Sequence, residues 1–231
     1  MNPFILIPIL CVIDCILFQF GFYLGMIGLC FIIYKILHVF GFLRSPEISR
    51  GSFAEGIAFL KDYQGPYSNS GVGFEEATKI LKTFKLDEQK VKYVLIGIYY
   101  DKPGEVEDSK LRYSIGIYQR NLGFPENPPR ELESYCKDNN YYFASLPIAW
   151  SLYSSWEYCN IFTLVKGVKK FHAGLNNKLH DNSFLKTYRI PEGTKCDVIV
   201  ELYESESKVS FYAPFKNIEK FQLYKKDAKT N

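Results

Sequence analysis

The chain predicts an α+β protein, with an N-terminal transmembrane helix followed by a domain of two tandem strand–helix–strand–strand units on a mostly antiparallel sheet. Three observations predict it. The run Ile16–Tyr34 carries no charged residue, and at about 19 residues it matches a hydrocarbon core of ~30 Å crossed as a helix. Beyond it, the spacing of apolar residues switches from period 2 to period 3.6 and back to two period-2 runs, and then repeats that sequence of changes. The composition is 17 % aromatic, with 18 Tyr and 19 Phe, which excludes a disordered chain and suits a β-rich interior.

The anchor region, 1–43, is apolar from Phe4 to Leu43 apart from Asp14, Lys35 and His38. Phe4–Ile13 is too short to span alone and reads as an extension of the same helix or as an interfacial segment. No Lys or Arg precedes the apolar run and no small-x-small site follows it, so it is expected to remain as an anchor rather than to be cleaved. Lys35, Arg44 and Arg50 follow the span, and the positive-inside bias then places the C-terminal side in the cytosol. Residues 44–52 form a juxtamembrane linker in which Pro46 stops a helix, 53–215 the domain, and 216–231 a short basic tail.

Within the domain, Phe53–Tyr63 is the first predicted strand, and Gln64–Gly71 is a loop by its Gly, Pro, Asn and Ser content. Phe74–Phe84 is an amphipathic helix, with Phe74, Ala77, Leu81 and Phe84 on one face and lysines on the other. Strands Lys92–Tyr100 and Leu111–Gln119 follow. Asn121–Pro129 connects to a short helix, Arg130–Lys137, and a short strand, Tyr141–Leu146. The plan then recurs: strand Ile148–Tyr158, a helix over Ile161–Leu179 capped by Asn160, and strands Cys196–Glu204 and Lys208–Phe215. In that helix Ile161, Leu164, Val165, Val168, Leu175 and Leu179 hold the apolar spacing.

Several chemistries are excluded. The net charge of +3 is small and dispersed, so no nucleic-acid surface is expected. Of six Cys, those outside the membrane stretch are Cys136, Cys159 and Cys196, without a C-x-x-C pair or a His at ligand spacing. No metal or cofactor is expected, and an odd number of cysteines fits a reducing compartment. The three histidines, His38, His172 and His180, form no triad with Ser or Cys, so no catalytic residue is assigned.

The order of certain motifs resembles a known family. The loop Gly65-Pro66-Tyr67, the duplicated strand plan, and Glu201-Leu202-Tyr203 followed by Ala213-Pro214-Phe215 resemble the GyrI-like, SOUL-related effector-binding fold. The anchor, Ile98-Tyr99-Tyr100-Asp101 with Pro103, the stretch Phe143–Pro147 and the helix Phe162–Leu179 are similar to the testis-expressed protein 264-like family of ER-phagy receptors. That resemblance implies an endoplasmic-reticulum membrane protein with a cytosolic GyrI-like domain at 53–215, a small-molecule or protein ligand, and the autophagy machinery as a partner. The family's long acidic tail has no counterpart here. About 16 residues, basic on balance, follow Phe215, a flexible length of roughly 20–25 Å, too short to reach a second membrane. Phe215-Lys216-Asn217-Ile218 fits the aromatic-x-x-aliphatic pattern of autophagy-receptor motifs but lacks a preceding acidic run.

The resemblance points to Glu201 as a ligand-contacting residue. Strand alternation puts Val198, Val200 and Leu202 on one face, expected to be the helix-covered core, and Ile199, Glu201 and Tyr203 on the other. An acid among aromatics suits a cationic or aromatic ligand. Tyr203, Tyr99, Tyr67, Trp150 and Trp156 are candidate groove walls; as purely structural residues they are core aromatics. A Glu with a Tyr also leaves open the hydrolysis of small electrophiles, as some relatives in the family perform.

Overall fold

The computed structural model describes residues 3–86, 93–120 and 127–224, with side chains from Leu17 onward. The chain divides into two units, Met1–Arg44 and Ser45–Asn231. The first is a continuous helix, α1 (Pro3–Val39), so the segment Phe4–Ile13 extends the predicted span rather than leaving it. Leu17–Val39, 23 residues, is long and apolar enough to cross a membrane by length and composition. Phe42 N–H donates to the Leu37 carbonyl and Gly41 N–H to that of His38, at 2.8 and 3.0 Å. With Gly41 at φ 71°, this is a Schellman stop.

The second unit is the predicted α+β domain. Among the described residues it holds one eight-stranded sheet in the order β1-β6-β8-β7-β3-β4-β2-β5, antiparallel at every pairing of strands. The first unit of the tandem plan is β2 (Gly56–Gln64), α2 (Ser70–Thr83), β3 (Tyr93–Tyr99) and β4 (Arg112–Arg120). The second is β6 (Ala149–Glu157), α4 (Ile161–Leu179), β7 (Ile199–Ser205) and β8 (Lys208–Pro214). In the sheet the two units meet at β3 and β7, each with its last strand in the middle of its own half. β1 (Ser49–Phe53) and β5 (Tyr142–Leu146) are added at the outer edges, and α3 (Arg130–Asp138) and α5 (Asn182–Tyr188) complete the set.

The sheet has to curl. β1 lies at one edge and β2 beside the other, yet only Ala54 and Glu55 join Phe53 to Gly56, a reach of about 11 Å. The interior of the curl is a second core. There the Phe53 ring lies 5.3 Å from Tyr118 and from Tyr212, on strands remote in the sheet, and 5.3 Å from Phe221. Phe221 comes from the tail: the segment Ile218–Phe221 turns back, and Phe221 is fully buried. Strands approach closely at Gly116, where a Cβ would lie 1.7 Å from the Phe59 carbonyl oxygen.

The outer face carries α2 and α4. Ala77, Ile80 and Leu81 of α2 and Phe171 and Leu175 of α4 bury there, with Phe171 stacked on Phe211 at 4.9 Å. Asn160 accepts from Thr163 N–H at 3.0 Å, and the Thr163 hydroxyl accepts from Asn160 N–H at 3.1 Å, a reciprocal cap that fixes where α4 begins. Trp156 packs under α4 at Gly167, where a Cβ would come within 2.4 Å of the indole. Its Nε1–H donates to the Thr163 carbonyl at 2.9 Å.

Five expectations change. The predicted first strand Phe53–Tyr63 is two strands, and the stretch read as linker contains most of β1. α2 begins one turn earlier than expected, at Ser70. α5 was not foreseen, although Asp181 caps it by accepting from the N–H groups of Ser183 and Phe184. Ile161 and Val165, read as core positions of α4, are exposed, because Gly167 and Phe171 turn its buried face away from them. Val198, Val200 and Leu202 lie in the curl interior, and it is the face of Ile199, Glu201 and Tyr203 that the helices cover. Lys92, residues 121–126 of the predicted connection, and 225–231 lie outside the described residues.

Candidate functional site

Glu201 sits in the middle of β7, at the seam between the two halves. Its neighbour on β3 is Gly97, which leaves the space above the seam to longer side chains from elsewhere. Two of them fill it. A Cβ on Gly97 would meet the Tyr99 ring at 3.0 Å and the Phe74 ring at 3.1 Å. Phe74 comes from the first turns of α2 and lies edge-on to Tyr203 with centroids 4.6 Å apart. Glu201 is left 3 % exposed.

Two tyrosines satisfy the carboxyl. The Tyr203 hydroxyl donates to Oε2 at 2.8 Å, and the Tyr99 hydroxyl also bonds to Glu201 and to Ser70 at the start of α2. Burial pushes the Glu201 carboxyl up from 4.5 to about 7, and the two hydroxyls hold it from rising further. The same burial, with the Glu201 charge beside them, drives Tyr99 and Tyr203 well above the ordinary phenol range. Among the described residues no Lys or Arg pairs with Glu201.

Tyr67 extends the cluster. Its ring lies 4.8 Å from Tyr99, and its hydroxyl donates to the Asp101 carbonyl at 2.8 Å, fastening the Gly65-Pro66-Tyr67 loop to the end of β3. Tyr158 lies edge-on to Tyr203 at 6.5 Å. The structure therefore brings Glu201, Tyr203, Tyr99 and Tyr67 together.

It does not bring the two tryptophans there. Trp156 is in register with Val209 and hence with Tyr203, two strands away, about 10 Å across the sheet, and is occupied by α4. Ser154 is the β6 residue in the Glu201 row, so Trp150 is four residues, or about 13 Å, along the strand. Trp150 lies at the exposed rim, with the Arg50 guanidinium 4.0 Å over its ring. Sequence reading missed Phe74 and Ser70 as site residues. Their only signal was the apolar face of α2, which does not say which strand that face meets.

Chemically, the cluster is a carboxyl whose ionised form is disfavoured by burial, boxed by aromatic rings. An incoming cation would find both a charge and π faces that cost little to desolvate.

No protein-family model and no curated protein matches the chain. Solved structures are similar to it at low identity. SAV2435 bound to tetraphenylphosphonium is 12 % identical, covering 75 % of this chain and 96 % of its own, with a TM-score of 0.43. The C-terminal domain of EcmrR is 12 % identical, covering 73 % and 96 %, with a TM-score of 0.41. A hydrolase from Listeria innocua is 15 % identical, covering 74 % and 92 %, with a TM-score of 0.43. At such TM-scores these likenesses decide nothing about function, and the α+β architecture stands on the chain's own sheet order and helices.

Proposed function

We propose that this chain is a membrane-anchored binding module of GyrI-like type, in which Glu201 receives a cationic, aromatic organic molecule. Leu17–Val39 of α1 is the one candidate span among the described residues, and the positive residues after it support a cytosolic domain. The observation that carries the binding reading is the Glu201 carboxyl itself: fully buried, raised to about 7, bonded to two tyrosine hydroxyls, and without a basic partner among the described residues. Buried acids commonly carry a counter-charge; this one has only hydroxyl partners, and burial holds it toward its neutral form, so its ionised form is left for an incoming cation to stabilise. Access requires the Phe74 ring to leave Tyr203. The test is titration of the domain Ser45–Asn231 with tetraphenylphosphonium, followed by tryptophan fluorescence. Glu201→Gln is expected to weaken binding by about ten- to a hundredfold. Affinity in the parent should rise with pH through about 7 as the carboxyl ionises. Equal affinities in two folded proteins, or no binding in the parent, would sink the reading.

A finer reading, an endoplasmic-reticulum adaptor in reticulophagy, rests on the resemblance to the testis-expressed protein 264-like family. Phe215 packs against the helix-side core and Ile218 against the curl interior, so that motif is part of the fold and a receptor role would run through a partner that supplies one. Protease added to sealed microsomes tests the topology: a digested domain supports it, and full protection places the domain in the lumen. Hydrolysis by Glu201 with a tyrosine ranks third, because burial keeps the Tyr99 and Tyr203 hydroxyls protonated and poor as nucleophiles.

A further inference from the structure

α4 buries one face and leaves another that is apolar without being covered. Thr163, Gly167, Phe171 and Leu175 face the sheet. On the outside of its first two turns, Ile161 is 63 %, Phe162 77 % and Val165 45 % exposed. Single exposed apolar residues are ordinary, but three in adjoining positions of one helix form a patch. The residues that follow are Lys166, Lys169 and Lys170, and α4 contains no Asp or Glu along its whole length. The patch is not an anion site at a helix end, since the Asn160–Thr163 cap already satisfies the first turn.

The chain limits what can cover this face. Phe40, Gly41 and Phe42 are bonded back to α1 and Ile48 is buried in the domain core, so five residues, 43–47, form the tether. Fully extended they reach about 20 Å. A domain of this size has a radius of gyration of about 16 Å, so the tether holds it within roughly its own diameter of the headgroups. Apolar residues backed by lysines are the chemistry that lies in the interface of an anionic bilayer.

We propose that the outer face of the first two turns of α4, Ile161, Phe162 and Val165 with Lys166 and Lys169, docks on the anionic leaflet of the bilayer that α1 spans. The proposal rests on the reading of α1 as a span. Docked there, the apolar side chains enter the headgroup boundary and the lysines meet lipid phosphates, while the tether supplies a high local concentration.

The test uses the full chain in nanodiscs of phosphatidylcholine, with or without phosphatidylserine, read by amide hydrogen exchange. Exchange at the start of α4 is expected to slow severalfold when phosphatidylserine is present, while the sheet is unchanged. Phe162→Glu with Val165→Glu, both at exposed positions, should abolish the slowing and leave sheet exchange alone. High salt should reduce it. Equal exchange in both lipids, with the chain retained by the membrane in alkaline carbonate, would overturn docking and spare the anchor. Release by carbonate would overturn the anchor and docking together. Slowing that follows the number of copies per disc rather than the lipid would assign the face to a second copy and overturn the proposal.

Discussion

Glu201 and Glu76 lie under and on the same helical layer, each bonded to a tyrosine hydroxyl, and their acidities move in opposite directions. Glu76, on α2, accepts from Lys61 Nζ at 2.7 Å and from the Tyr63 hydroxyl at 3.0 Å. Its carboxyl is held below the usual range, chiefly by the Lys61 hydrogen bond. Glu201 has the Tyr203 and Tyr99 hydroxyls and no ammonium, and burial raises it to about 7. A tyrosine hydroxyl alone does not compensate for the loss of water around a carboxylate, whereas a lysine at the rim, with water still at hand, does. The first carboxyl has its charge unanswered by any ammonium among the described residues, and the second is already satisfied.

The largest expected effect follows from Glu201. Between about pH 4.5 and 7 the native protein holds a proton on it that the unfolded chain has released, so stability falls as pH rises through that window and is level above it. The loss is about 3 kcal/mol for a group this fully buried. Glu201→Gln should remove it, leaving the variant more stable than its parent above pH 7 and less responsive to pH. Urea unfolding of the two proteins at either end of the window measures this. The same slope in both would show that the raised acid is elsewhere and dissolve the contrast with Glu76.

How much of this was legible depended on range. The bounds of α4 were readable to the residue because its cap and its spacing are local, but its buried face was not, since Ile161 and Val165 are exposed. α5 is seven residues, too short for a periodicity, and β1 reads Ser-Arg-Gly-Ser-Phe, which only its pairing with β6 makes a strand. Alternation along β7 separated its two faces correctly but assigned the helices to the wrong one. Val198, Val200 and Leu202 look like a conventional core face, and nothing local to them announces that the sheet curls into a second core around Phe53 and Phe221. Tyr203 could be linked to Glu201 because the two are i and i+2 on one strand. Phe74, which closes the site, lies more than a hundred residues away in sequence.

A smaller effect should come from the cover. Phe74 is half-buried, and Phe74→Ala is expected to cost about 1–3 kcal/mol. With the ring gone, water reaches Glu201, its acidity returns toward 4.5, and the pH slope shrinks. Stability curves at both ends of the pH window separate the two consequences. A full cost with an undiminished slope would mean that Phe74 is packing and not the barrier between Glu201 and solvent.

The smallest effect is expected at Glu76, and it has the opposite sign in pH. Its folded acidity lies below the unfolded value of 4.5, so the stability it contributes is present above about 4.5 and is lost as pH falls through the folded value. The pair with Lys61 is 29 % and 38 % exposed on its two side chains, so solvent screens most of the attraction. Glu76→Gln keeps the Tyr63 bond within reach and removes only the charge, and should cost no more than about 1 kcal/mol at neutral pH. The cost should shrink in high salt, because an ion pair at the surface is screened over a Debye length of roughly 10 Å or less. Glu201→Gln, acting on a group without a counter-ion and without solvent, should be nearly indifferent to salt. Thermal unfolding of both variants at low and high salt compares them directly. A salt-insensitive Glu76→Gln beside a salt-sensitive Glu201→Gln would reverse the assignment of which carboxylate has its charge answered within the protein.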